Sequence, residues 1–154
     1  MDTAVETKII TREILIDATP ETIWQLLVDP GEAVRWMGTA AMFDLRRGGV
    51  YRVDIIPGSV AVGKFVEIDP PRRLVYTWGW EGNADVPPGS TTVSFELEPR
   101  GRKTLLRLEH RDLPSADSAE RHTHGWIHYM ERLAAAASGK DPGTDPWIAN
   151  GPCA

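Results

Sequence analysis

The stretch TLLRLEHRDLPSADSAERHTHGWIHYMERLAAAAS, Thr104 to Ser138, changes its hydrophobic period partway along, and that change decides the fold. From Thr104 to Arg111 residues alternate, with Leu106, Leu108 and His110 on one face and Leu105, Arg107, Glu109 and Arg111 on the other. A period of two marks a strand with one buried side. Beyond Asp112-Leu113-Pro114 the period lengthens: Ala119, His122, Trp126, Met130, Leu133 and Ala137 recur at helical spacing, with Tyr129 beside them. Ser115 and Asp117 are alternative caps, the latter with Glu120 three residues on, and Gly139 supplies the stop. His124 and His128 project from roughly the opposite face, which is expected to meet solvent. Gly125 inside the helix costs about 1 kcal/mol relative to alanine, so close packing or extra room beside Trp126 is expected to compensate.

A long one-sided helix needs a surface to lie on, and the residues upstream supply it. Thr91–Glu98 places Val93, Phe95 and Leu97 on one face, and Pro99-Arg100-Gly101-Arg102 turns it into Thr104–Arg111. Arg73–Trp80 carries Leu74, Tyr76, Trp78 and Trp80 on one face, followed by a Gly- and Pro-rich loop, 81–90. Val50–Ile56 and Val60–Ile68 are further strands joined by Pro57-Gly58-Ser59, with Tyr51, Val53, Ile55 and Phe65 as inward candidates. Met42–Leu45 is a shorter strand, and residues 8–17 read as the first. Between these two, Thr19 as cap and Pro20 at the first helical position open a short helix through Leu27. A second short helix is expected over Glu32–Met37. Consecutive strands joined by short turns pair antiparallel. The expected fold is α+β: a curved antiparallel sheet of about six to seven strands wrapped around a long C-terminal helix. Residues 8–138 form one domain, with 1–7 as an N-terminal tail and 139–154 as an irregular C-terminal tail. Trp147 and Ile148 are the residues that would dock the latter; a free tail is expected.

The totals exclude several function classes. Lys and Arg number 17 against 22 Asp and Glu, a net charge of −5, and the basic residues are scattered, so no nucleic acid partner is expected. Cys153 has no partner for a disulfide. Neither a signal peptide nor a membrane-length apolar run is legible, which makes the cytoplasm the expected compartment. No Walker, dinucleotide or nucleophile-elbow pattern occurs. His124 and His128 have the i, i+4 spacing of a metal pair with Glu131 nearby, but HExxH and cysteine ligands are missing, so no metal and no cofactor is expected.

Tyr51, Trp78, Trp80, Trp126 and Tyr129 come from separate elements, yet all converge on the space between sheet and helix. Trp36 and Met37 would close one mouth of that space. A core this rich in Tyr and Trp needs polar partners, which favours a pocket over a plain filled core. The candidate ligand-binding set is Trp36, Tyr51, Phe65, Tyr76, Trp78, Trp80, His110, His122, Trp126, Tyr129 and Met130. Among these, His110 and His122 are the candidates for a general base, with Tyr51, Tyr76 and Tyr129 as donors. Because no carboxylate is placed to orient either ring, local hydrogen bonding is the favoured role for both histidines.

Several motifs in order carry a family resemblance. They are Ala18-Thr19-Pro20-Glu21-Thr22-Ile23-Trp24, Trp36, Gly48-Gly49-Val50-Tyr51 and the run from Gly63 to Trp78 that includes Asp69-Pro70-Pro71-Arg72. Thr104-Leu105-Leu106, Leu108-Glu109-His110, Gly125-Trp126 and Leu133 complete the set. Over residues 8–138 the chain resembles the START-like (SRPBCC) superfamily of helix-grip domains, within it the branch named for the activator of the heat-shock protein 90 ATPase. The resemblance implies a cavity under the C-terminal helix. It does not imply one activity, since similar domains include lipid and hormone carriers, polyketide cyclases and chaperone-associated modules. The eponymous activators carry a separate N-terminal chaperone-binding domain, and only a short tail precedes residue 8 here, so no chaperone partner is expected. The leading expectation is binding of a small hydrophobic or aromatic ligand without catalysis. The alternatives are a polyketide cyclase- or dehydratase-type or hydrolytic enzyme using a pocket histidine, and a chaperone-associated protein-binding module, with the 81–90 loop as its candidate docking surface. A homodimer is left open.

Overall fold

The computed structural model describes residues 7–151; the first six residues and Cys153 lie outside the described residues. Strand β1 (Lys8–Ile16) leads into helix α1 (Pro20–Val28) and the single-turn helix α2 (Pro30–Ala33). Strands β2 (Ala40–Phe43), β3 (Val50–Ile56), β4 (Ser59–Asp69), β5 (Arg73–Trp78), β6 (Thr91–Arg100) and β7 (Lys103–Leu113) follow. The long helix α3 (Ala116–Ala137) and the short α4 (Pro146–Asn150) end the chain.

All seven strands join one antiparallel sheet in the order β1-β7-β6-β5-β4-β3-β2. The first strand thus returns to the last, which leaves β1 and β2 as edges. Register shifts in β3 between Asp54 and Ile56, and in β4 between Phe65 and Glu67, add the local bending that lets the sheet curve. Leu106, Leu108 and His110 face inward with Val93, Phe95 and Leu97, while Glu96 stands opposite Arg107 on the outer face. That outer face carries ion pairs Arg73–Glu96, Arg73–Glu67 and Arg107–Glu13, all solvated, so it contributes little to stability.

The helix boundaries follow their caps. Thr19 Oγ1 accepts from the Thr22 amide at 3.3 Å, with Pro20 opening α1. Of the two candidate caps for α3, Ser115 serves: its Oγ accepts from the Ser118 amide at 3.1 Å. Trp126, Tyr129, Met130, Leu133, Ala136 and Ala137 are buried along α3. The second short helix differs from the expected span. It closes after Ala33 and continues as turns to Met37, because Trp36 swings inward and donates from Nε1 to the Leu26 carbonyl at 2.7 Å.

The C-terminal tail is neither irregular throughout nor free. Arg132 donates to the carbonyls of Pro142 at 3.2 Å and Gly143 at 2.8 Å, fixing the chain after α3. Asp145 then caps α4, accepting from the Trp147 amide at 2.9 Å, and Pro146 takes the first helical position. Trp147 is buried, stacked on His128. The face of α3 expected to meet solvent thus receives the tail at His128, while His124 stays exposed at its edge. Among the described residues no helix is long and apolar enough to cross a membrane.

Candidate functional site: a cavity above a closed aromatic layer

The gap between sheet and α3 has two levels. In the lower one, buried aromatic side chains pack on one another. Tyr51 stacks between Phe43 and Tyr76, at centroid distances of 5.0 and 4.0 Å, and Phe65 meets this stack edge-on. Phe95 packs against Tyr76 and Trp126. Burial pushes the Tyr51 and Tyr76 hydroxyls well above the ordinary phenol range, the second also through its neighbour Tyr51. Neither phenol is available as an acid near neutral pH.

The upper level is open. A cavity of about 480 Å³ lies between the β3–β4 hairpin end (Ile55, Ile56, Ser59), the Glu81–Val86 part of the loop, the first half of α3, and Trp147. Trp78, Trp80, His122, Trp126 and Tyr129 line it, and Met37 reaches it from the chain after α2. Five members of the candidate set thus come together around the cavity. Trp36, Tyr51, Phe65, Tyr76, His110 and Met130 do not: each is buried in the layer below or beside it. Trp36 leaves the mouth through its bond to Leu26, and only its neighbour Met37 reaches the wall.

Local chain geometry puts Trp80 at the rim. Residue 80 bridges Ala61, its amide donates to the Val86 carbonyl at 2.7 Å, and the Glu81 amide donates to Val60 at 2.9 Å. Gly79 makes this possible, because a Cβ there would overlap the Pro87 carbonyl oxygen. The 81–90 loop is accordingly folded back on its own strands. Gly125 opens the opposite wall: a Cβ at that position would meet nothing within 4 Å. Of the two compensations expected for a helix glycine, the structure has extra room.

Both histidines are held by hydrogen bonds whose partners dictate the tautomer. The Trp126 indole N–H donates to His110 Nδ1 at 3.0 Å, so that nitrogen is unprotonated. The other nitrogen, Nε2, lies 2.8 Å from Thr91 Oγ1, whose own hydrogen goes to the Trp78 carbonyl at 2.7 Å. His110 is therefore the Nε2–H tautomer, donating to Thr91. His122 is the reverse. Trp80 Nε1–H donates to its Nε2 at 3.0 Å, while Nδ1 donates to the Ser118 carbonyl at 2.8 Å. Burial lowers the His110 pKa well below the ordinary value, helped by His122, whose ring centroid is 4.9 Å away. Burial also lowers His122; the bond to Ser118 opposes this and Arg121 adds to it. Each ring is neutral, and the basic lone pair of each already accepts from a tryptophan. As arranged, neither abstracts a proton from a bound molecule.

The rim is polar. Asp117 pairs with Arg121 at 3.2 Å and Glu81 with Arg52 at 2.9 Å, and Asp85 adds an exposed carboxylate. Among the described residues no group of His, Cys, Asp and Glu gathers in metal-binding fashion. Sequence reasoning missed Ile55, Ile56, Gly125 and Trp147 as wall residues. For Gly125 the signal was present, as a glycine inside a helix; for Trp147 it was a tryptophan after a Pro-capped turn.

The signature of the family described as Activator of Hsp90 ATPase homolog 1-like protein matches residues 17–138. No curated protein matches the chain. Many solved structures do. The AHSA1-like protein RHE_CH02687 from Rhizobium etli is 42% identical, with a TM-score of 0.77, over 96% of this chain and 92% of that one. CalU16 from Micromonospora echinospora is 30% identical, with a TM-score of 0.66, over 86% of this chain and 76% of its own. PFC0360w from Plasmodium falciparum, described as an HSP90 activator, is 25% identical, with a TM-score of 0.68, over 84% and 94%.

Proposed function

The chain belongs to the Activator of Hsp90 ATPase homolog 1-like family of helix-grip domains, and from that premise we propose that it binds a small hydrophobic or aromatic ligand in the cavity between sheet and α3. The observation that carries this reading is the contrast between the two levels of the gap. The lower level is a stack of buried aromatic rings, whereas the upper keeps about 480 Å³ between aromatic walls. That volume falls within the range of small-molecule sites, roughly 300–1,000 Å³. Gly125 supports the reading further, since a helix that only packed would gain about 1 kcal/mol from alanine at that position.

Native mass spectrometry and fluorescence titration with a panel of neutral aromatic compounds test the proposal. One-to-one binding is expected, abolished by Gly125→Leu, which fills the cavity from the α3 side. A panel in which nothing binds would sink it.

Cyclase-type or hydrolytic turnover by a pocket histidine has less support, because both basic lone pairs already accept from tryptophans. A chaperone-associated role draws on the family description and the Plasmodium relative, and no feature of the cavity bears on it.

A further inference from the structure

The segment after α3 crosses the open side of the sheet–helix gap. Arg132 anchors it at Pro142 and Gly143, His128 Nε2 lies 2.8 Å from Asp145 Oδ1, and α4 packs against β3. Trp147 is thereby laid flat on His128, with ring centres 3.7 Å apart and planes within 6° of parallel. His124 stacks on it at 5.2 Å, and the Tyr129 ring meets it edge-on at 5.6 Å. Only 7% of the residue is exposed, yet it lines the cavity. It also lies outside the 17–138 region that carries the family signature.

We propose that Trp147 is the specificity-determining residue of the cavity, setting the upper size limit of the apolar guest. This rests on the cavity being a binding site. The physical reason is that the indole is both bulky and fixed. It cannot swing aside without losing its stack on His128 and its edge contact with Tyr129, and disturbing the cap that Asp145 provides. Truncation to alanine removes the whole indole from a wall of the cavity, so a guest too long for the native space gains room. A small guest gains nothing and loses contacts.

The test uses the full chain and two neutral fluorescent probes of different size, N-phenyl-1-naphthylamine and the larger Nile red. Trp147→Ala should shift the ratio of their dissociation constants toward Nile red by roughly tenfold or more, the scale on which pocket volume discriminates apolar ligands. Trp147→Phe should shift it less. Gly125→Leu should abolish binding of both probes. An unchanged ratio, with both probes bound by Trp147→Ala, overturns the assignment and leaves the cavity reading standing. Wild-type protein that binds neither probe, or probe binding that survives Gly125→Leu, overturns both. If Trp147→Ala does not melt cooperatively, Trp147→Phe and Trp147→Leu carry the same comparison, and an unchanged ratio in them is equally decisive.

Discussion

The Trp126 indole N–H donates to His110 Nδ1 across 3.0 Å, joining helix α3 to strand β7 through a bond that occupies the basic nitrogen of a fully buried imidazole. A ring held in this way behaves as part of the framework, and its chemistry is predictable from its partners.

The two neighbouring rings should be opposite tautomers. Nitrogen-detected NMR should find His110 protonated at Nε2 and His122 at Nδ1, each ring predominantly neutral at pH 6.5. Identical tautomers, or a predominantly charged ring at that pH, would refute the hydrogen-bond assignment.

Stability should fall on acidification for the same reason. Both folded-state pKa values lie below the unfolded value of 6.5. The unfolded chain therefore binds more protons between the two, and stability is full above pH 6.5 and lost as pH drops through the folded values. Each ring contributes a slope of up to about 1.4 kcal/mol per pH unit in that window. Urea titrations at pH 7.5, 6.0 and 5.0 measure it; stability unchanged from pH 7.5 to 5.0 would contradict the burial of both neutral rings.

Trp126→Phe keeps an aromatic ring and deletes the N–H. It leaves His110 Nδ1 buried without a donor, at a cost of about 1–3 kcal/mol. A variant as stable as its parent in chemical denaturation would mean that a water or another donor takes over.

Gly125→Ala is expected to go the other way, stabilising by up to about 1 kcal/mol, since the added methyl meets open space in a regular helix. A lower melting temperature would show that the space beside Trp126 is not as open as the geometry indicates.

At Gly79 the same change should be harmful. The methyl would overlap the Pro87 carbonyl, force the 81–90 loop off its strands and pull Trp80 away from His122. The expected cost is about 1–3 kcal/mol, the usual range for overpacking, with a red-shifted tryptophan emission as Trp80 meets water. Unchanged emission and stability would indicate that the loop is not held by this approach.

Much of the fold was legible because each element announces itself locally. The alternation through Leu106, Leu108 and His110, the helical stripe through Trp126, Met130 and Leu133, and the Thr19-Pro20 start are short-range signals. The site was legible only in part, for a geometric reason. Period two says which side of the sheet a residue faces, but not how far along the strand the helix covers it. Tyr51, Phe65 and Tyr76 share the inward side with Trp78, yet they sit in the buried stack below the cavity. Likewise the spacing of His124 and His128 identified one face of α3, and nothing local said that Trp147 would come back to cover it. A helix of five residues leaves no periodic trace, although Asp145-Pro146 is a legible cap.

The division of the gap into a packed level and an open one has a consequence for how such a chain can change over generations. Much of the buried core, including the Tyr51, Tyr76, Phe65 and Phe95 layer and the Leu74, Leu106, Leu108 and Leu133 packing, lies away from the residues a guest would touch. Substitutions at Ile56, Ser59, Gly125 or Trp147 alter the cavity while leaving that layer intact. Under the proposed function, ligand preference can therefore vary at one end of the scaffold at low risk of unfolding, while the other end is constrained by packing.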